Sequence, residues 1–244
     1  MRKTLALSPI LIMAAACSAG GAHGGEGAEA RAEGRRDFQV AAFDRVALEG
    51  SHDVIVTVGG AASVRAEGDS EALERLEIVV EEGGLKISSR NRAGSWFGGG
   101  HRGKVTVHVS VPALAGASIG GSGDMRIDRV QSPQFAASIG GSGDMAIAAL
   151  RTGQANFSIA GSGGIHAAGS AERAQLSIAG SGDLDLAGLE ARTASVSLVG
   201  SGDVRLRATE SVEASIVGSG DVVVSGPARC TVSKRGSGDL RCEG

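Results

Sequence analysis

From residue 43 onward, apolar and polar residues alternate with a period of two, broken at regular intervals by glycine-rich turns. Val46 and Leu48 alternate with polar neighbours, as do Val54, Val56 and Val58, and such runs predict half-buried strands. Ser63–Glu67 predicts a further short strand. Asp69–Leu76, with Asp and Ser ahead of a Leu-x-x-Leu pair, predicts a single helical turn. Leu76–Val80 and Leu85–Ser89 flank Glu82-Gly83-Gly84 and predict a hairpin. Lys104–Val111 is another alternating strand.

Beyond these the pattern becomes a repeat. Gly-Ser-Gly-Asp stands at Gly121–Asp124, Gly141–Asp144, Gly180–Asp183, Gly200–Asp203, Gly218–Asp221 and Gly236–Asp239, and Gly161–Gly164 is a variant ending in Gly. Gly50-Ser51-His52-Asp53 is a degenerate earlier copy. Two places before each phrase sit Ile119, Ile139, Ile159, Ile178, Leu198 and Ile216. One place after the Asp come Met125, Met145, Leu184, Val204, Val222 and Leu240, and three places after come Ile127, Ile147, Leu186, Leu206 and Val224. A weaker column, six places after, holds Val130, Leu150 and Leu189. Each unit, of about 16–20 residues, therefore predicts a strand, a corner, a second strand and a looser third side. No unit buries its apolar face alone, whereas stacked units about 4.8 Å apart do. The expected fold is all-β, a parallel β-helix or β-solenoid with Gly-Ser-Gly-Asp corners. A sandwich or barrel of hairpins is the competitor, and identical chemistry at every corner argues against it.

Composition narrows the interior and the partners. Forty of 244 residues are Gly, and there are five Phe, one Trp and no Tyr, so the core must be built from Ile, Val, Leu and Ala. The formal charge of −3 offers no basic stripe with stacking aromatics, and no nucleic-acid partner is expected. Residues 1–16 read as a signal peptide: Arg2 and Lys3 precede a twelve-residue apolar stretch, Leu5 to Ala16, too short to span a bilayer. Ala14-Ala15-Ala16-Cys17 resembles a bacterial lipobox, which makes Cys17 the lipidated first residue and the membrane a partner through that anchor. Ordinary cleavage after Ala16 is the alternative, and both readings export the chain. Ser18 stands where an Asp retains bacterial lipoproteins at the inner membrane, so an outer-membrane lipoprotein is expected, its periplasmic or surface face left open. Residues 17–37 form the anchor cysteine and a flexible tether, and 38–244 a single solenoid domain.

The candidate chemistry lies at the corners and the ends. The corner carboxylates Asp124, Asp144, Asp183, Asp203, Asp221 and Asp239, with Asp53, recur in one column broken at Gly164. Unit charges about 4.8 Å apart repel by roughly 1 kcal/mol in water and 3–4 at an effective dielectric of 20, so something must offset them. The structural reading is hydrogen bonding to backbone N–H groups two residues away in the turn. The other reading is a bound Ca²⁺, although Asp here follows its Gly directly. The five His, at 23, 52, 101, 108 and 166, show no metal-ligand spacing, and no cofactor is expected. Trp96 and Phe97, in a Gly-rich loop with Arg92, His101 and Arg102, read either as a cap on the open N-terminal end or as a recognition loop. Lys234 breaks the inward Ile column and marks the stack as closing. Cys230 and Cys242 both fall inward by the column count, and in an oxidising compartment they predict a disulfide within the last rung.

The opening Phe43-Asp44-Arg45-Val46, the Gly50-Ser51-His52-Asp53-Val54 turn, the Leu76-Glu77-Ile78 and Gly84-Leu85-Lys86-Ile87 segments and the Gly-Ser-Gly-Asp ladder resemble the bacterial family called putative auto-transporter adhesin, head GIN domain. The resemblance covers residues 43 to 240. It implies an exported β-solenoid carried on lipoproteins, and it brings no catalytic residues. The expected function is a non-enzymatic envelope module for adhesion or structure, with an envelope protein or surface ligand as partner. A periplasmic scaffold or envelope-stress partner is the second reading. The third is an enzyme acting on acidic polysaccharides, which needs clustered carboxylates beside Lys or Arg. Arg126, Arg205, Arg207 and Arg241 instead scatter among Ala and Ser.

Overall fold

The structure, a computed structural model, describes residues 33–90 and 103–244. The signal segment, Cys17, the tether up to residue 32 and the Trp96–Phe97 pair lie outside the described residues. The chain forms β1 (Glu33–Phe38), β2 (Arg45–Gly50), β3 (Asp53–Val58), β4 (Ser63–Asp69), α1 (Ser70–Arg75), β5 (Leu76–Glu81), β6 (Gly84–Ser89) and β7 (Val105–Val111). The repeat follows as β8 (Gly116–Gly121), β9 (Met125–Ile127), β10 (Val130–Gly141), β11 (Met145–Gly161), β12 (Gly164–Gly180), β13 (Asp183–Gly200), β14 (Val204–Gly218), β15 (Val222–Ser225), β16 (Arg229–Gly236) and β17 (Leu240–Glu243).

These strands build the expected β-solenoid. Each rung crosses wall A, turns at the Gly-Ser-Gly-Asp corner, crosses wall B, and returns along a third side. On wall A the parallel pairing puts Leu48, Ile119, Ile139, Ile159, Ile178, Leu198 and Ile216 in one register. On wall B, Val54, Met125, Met145, Ile165, Leu184, Val204, Val222 and Leu240 align in the same way. Both columns point inward and are buried except at the C-terminal end. Size is traded between neighbouring rungs: Phe135 pairs with Ala155, and Ala137 with Phe157, so each large ring lies beside a methyl group, which suits close packing.

The corner fixes the register. Gly141 has φ +153°, and a Cβ there would lie 2.1 Å from the carbonyl oxygen of Gly121 in the previous rung. A Cβ on Gly143 would lie 2.1 Å from the carbonyl oxygen of Gly123. The first Gly of the phrase is thus required by conformation and contact, the second by contact alone. Main-chain bonds such as Ser142 N–H to Gly121 O, 2.9 Å, tie each corner to the one before.

Three expectations are corrected. The third side is not loose: in β11, β12 and β13 the strand continues from wall B round into wall A, with register shifts near Ile147/Leu150, His166/Ala168 and Leu186/Glu190. Those irregularities absorb the bend and hid it from a strict period-two reading. The corners are spaced 18 to 20 residues apart, so rungs as short as 16 do not occur. Residues 33–37, expected to belong to the tether, are instead part of a strand, Glu33–Phe38, paired antiparallel with β4. It has no apolar alternation to reveal it. The main-chain ladder to β4 and the packing of Phe38 against the core hold it, with Arg65 Nε 2.9 Å from Asp37 Oδ1 at the surface.

Chain order and rung order differ at the N-terminal end. β2–β3 pair on one side with β8–β9 and on the other with β6–β7, so the chain inserts its second rung before it builds its first. The first rung is then covered by antiparallel strands: β5 on β6, and β4 with β1 on β7. The one helix among the described residues, α1, starts at Asp69, whose carboxylate accepts from Ala72 N–H at 3.0 Å, and it buries Leu73.

Candidate functional site

The corner carboxylates form a ladder between rungs. Asp124 Oδ1 accepts from Asp144 N–H at 3.1 Å, Asp144 Oδ1 from Gly164 N–H at 2.8 Å, and Asp183 Oδ1 from Asp203 N–H at 2.8 Å. Asp203 and Asp221 repeat the bond toward Asp221 and Asp239, each at 2.9 Å. The acceptors were expected to serve N–H groups two residues on in the same turn. They serve the next rung's corner instead, since the main chain of the stacked turn presents its N–H directly above the carboxylate. Each bond ties one negative group to a dipole and offsets the repulsion along the column. At Gly164, where the carboxylate is missing, Asp183 N–H bonds the Gly163 carbonyl at 3.2 Å. Asp53 at the column's start pairs with Lys104 Nζ at 3.0 Å. No group of three or more His, Cys, Asp or Glu able to hold a metal ion occurs among the described residues.

The outer surface of wall B carries a trough of about 520 Å³. Its floor is Ala146, Ala148, Ala168, Ala187 and Gly188, contributed by three successive rungs. Ile55 and Thr57 close one end, Arg126 and Asp128 stand on the rim, and His166 and Asp185 stand beside them. Two and four places after the corner Asp, side chains point outward. In the flanking rungs these positions hold Arg126, Asp128, Arg205 and Arg207, and in the three middle rungs mostly alanine. Short side chains between long ones make the hollow. His166 Nδ1 lies 3.5 Å from Asp185 Oδ2. A Cβ built on Gly164 would lie 3.7 Å from His166 Nε2 and 3.1 Å from Asp144 Oδ1, so the one gap in the carboxylate column opens beside this imidazole. Sequence reasoning named Arg126 only as a scattered surface charge and missed the trough. The available signal was the run of Ala148, Ala168 and Ala187 in one outward column.

His52 occupies the place of the corner's second Gly and is buried, 6 % exposed. The segment that joins β6 to β7 carries no Gly-Ser-Gly-Asp phrase. Nε2 bonds Ser89 Oγ at 2.7 Å, and Nδ1 has no hydrogen-bond partner among the described residues. Burial holds the imidazole below its ordinary titration range, against the opposing pull of Asp53.

At the C-terminal end, Cys230 and Cys242 are joined in a disulfide with Cα atoms 6.7 Å apart. Cys230 continues the wall A interior beside Val212, and Cys242 continues wall B beside Val224, so the bridge spans the open mouth of the stack. Lys234 stands where Ile216 precedes it in the column, and its Nζ bonds the Gly238 carbonyl and the Asp239 carboxylate. That hydrogen bond and the attached charge hold Asp239 below the usual carboxylate range. Arg207 pairs with Glu190 at 3.1 Å and Arg241 with Asp221 at 3.8 Å.

The family described as putative auto-transporter adhesin, head GIN domain, matches residues 42–228. No protein of curated function matches the chain. Among solved structures, a putative adhesin from Bacteroides fragilis is 24 % identical at a TM-score of 0.78, over 87 % of this chain and 98 % of that one. A putative lipid binding protein from Parabacteroides distasonis is 22 % identical at 0.69, over 88 % and 97 %. A putative adhesin from the same species is 21 % identical at 0.67, over 87 % and 98 %. At these identities the likeness is one of fold.

Proposed function

The chain belongs to the putative auto-transporter adhesin, head GIN domain family, and from that premise we propose that it is an exported, lipid-anchored, non-enzymatic envelope module that binds its target through the trough on wall B. Cys17 anchors it to the outer membrane, residues 18–32 act as a tether, and the solenoid presents the trough. The observation that carries this reading is the alanine floor, repeated over three rungs and edged by Arg126, Asp128, His166 and Asp185. A stack in which every rung is bonded to the next holds such a surface ready without a folding cost on binding. Nothing in the rim resembles an activated nucleophile. Asp144 Oδ1 accepts from the Gly164 N–H, and His166 pairs with Asp185 at 3.5 Å.

Photo-crosslinking in living cells tests the assignment. A crosslinker at Ala168 is expected to capture a defined partner or surface ligand, and one at Ser170, on the third side, is not. Equal capture at both positions would remove the trough from the proposal. Replacing Cys17 with Ser is expected to release the chain from the membrane fraction and to abolish labelling by radioactive palmitate. Protease digestion of intact cells then separates display outside the cell from a periplasmic scaffold, the second reading, which the flat serine-bearing outer surface of wall A favours.

A further inference from the structure

Wall A differs from the other two sides in its outward residues. Its central outward column is Ser118, Ser138, Ser158, Ser177, Ser197, Ser215 and Ser233 in unbroken register. Between β8 and β14 the charges on this outer face are Glu213 and, at its edge, Arg173, whereas wall B and the third side bear Arg, Asp and Glu on nearly every rung. Of the four exposed large apolar side chains among the described residues, Val199 and Val217 point outward here, 51 % and 44 % exposed. Val79 also lies in the serine column's register at the far end, and Val232 lies on this wall's last strand.

The column nearest the corners is ordered by size and charge. It runs from Glu49 through Gly120, Gly140, Ala160, Ala179, Val199 and Val217 to Arg235. Rotating the wall by 180° about an axis along the strands, midway between the Ala160 and Ala179 rungs, keeps every residue in its column and reverses the rung order. Glu49, whose Oε1 also pairs with Lys86 Nζ at 2.9 Å, then meets Arg235, Gly120 meets Val217, Gly140 meets Val199, and Ala160 meets Ala179. The same rotation sets Asn156 against Gln175 and Glu213 against Gly116, over which the stem of Arg45 lies, its Cγ 3.3 Å from where a Gly116 Cβ would be. Large opposes small, positive opposes negative, and amide opposes amide, all from one axis. A two-fold interface demands this self-complementarity.

We propose that wall A is the interface of an antiparallel, face-to-face homodimer, with the two-fold axis between the Ala160 and Ala179 rungs. The face spans about 20 Å across the strands and about 38 Å along eight rungs. A dimer of that extent buries on the order of 1,500 Å² in total, within the range of stable specific interfaces. Serine, alanine and glycine let the two sheets approach closely, and the valines fill the places the glycines leave. The occupant is a second copy because the matching residues are all found on this wall itself.

The test is sedimentation of the full exported chain carrying Cys17→Ser, which removes the lipid and leaves wall A intact. A monomer–dimer equilibrium is expected between about 1 and about 200 µM. Val199→Glu, at an exposed position, is expected to abolish the dimer with an unchanged circular dichroism spectrum. Glu49→Arg and Arg235→Glu are each expected to weaken it by about tenfold or more, and the two together to restore it, since the pair is then reversed and not lost. Ala160→Cys alone, half a rung from the axis and so close to its own copy across it, is expected to give a disulfide-linked dimer on a non-reducing gel. Monomer at every concentration would overturn the proposal, as would a dimer indifferent to Val199→Glu, or a double charge swap no better than the single ones. This interface and the trough lie on different walls, so failure of either leaves the other standing.

Discussion

Leu85 and Val232 belong to the same interior column of wall A, at opposite ends of the stack, yet Leu85 is fully buried and Val232 is 43 % exposed. The neighbouring column repeats the contrast, with Ile87 at 0 % where Lys234 stands at the other end, its side chain 45 % exposed. A solenoid must terminate twice, and each end exposes a cross-section of core and a row of unpaired strand edges. The N-terminal end is closed by more chain: β4, β5 and α1 fold back, and their Val64, Ala66, Leu73 and Leu76 join the core. The C-terminal end is closed by chemistry: a disulfide across the mouth and a lysine at the last inward position. One device contributes buried area, the other restrains strands that bury little.

The largest effect should separate the two ends directly. Leu85→Ala is expected to cost about 2–5 kcal/mol in denaturant unfolding, as a large-to-small change at a fully packed site. Val232→Ala, in the same column, is expected to cost under about 1 kcal/mol, since much of its surface is already in water. Equal costs would mean that the C-terminal end is covered by something outside the described residues.

Breaking the Cys230–Cys242 bridge should come next. Cys230→Ser is expected to lose about 2–4 kcal/mol by releasing a loop with a sequence separation of 12. The change should be local. Amide exchange is expected to rise in β16 and β17, which pair on one side only, and to stay unchanged in β6 and β7. Loss of protection throughout would show that the whole stack unfolds from this end.

The ends also differ in how they were written in the sequence. The repeat was legible because every rung restates the same inward columns, and the Cys230–Cys242 pairing followed from counting along them. The N-terminal closure was not legible, although its hairpin and helical turn were. Placing β2–β3 between β6–β7 and β8–β9 depends on long-range pairing that leaves no local mark. β1, Glu-Gly-Arg-Arg-Asp-Phe, is a polar edge strand identified by its partner and not by its period. The inter-rung carboxylate ladder was half legible: the column was visible, but its acceptors belong to the stacking and not to the turn. The trough is an absence of side chains, marked in the sequence only by the alanines four places after successive corners, Ala148, Ala168 and Ala187.

Among the described residues, His52 at the N-terminal end is the one buried titratable group, so acid should act there first. His52 has its folded titration lowered by burial from an unfolded value of 6.5. Above that value both states are neutral and stability is complete. As pH falls below it, the unfolded chain takes up a proton that the folded one resists, so stability declines until the folded group itself titrates. The stability of wild type is expected to decline as pH falls below about 6.5, and His52→Gln to remove that part of the slope. An unaltered slope in His52→Gln would assign the acid sensitivity elsewhere.

Lys234 should matter least to stability. Its pair with Asp239 is solvent-exposed, and exposed pairs contribute little because water and salt screen them. Its position suggests another role: a charge at the last inward place denies the open edge to a further strand. Lys234→Ala is therefore expected to leave the unfolding midpoint nearly unchanged. The Asp239 carboxylate, observed by NMR, should titrate closer to its ordinary range, because the hydrogen bond and charge that lower it come first from Lys234. If Lys234→Ala cost as much as Cys230→Ser, the lysine would be a structural clasp equal to the disulfide, and the division between an end closed by area and an end closed by a covalent bond would no longer hold.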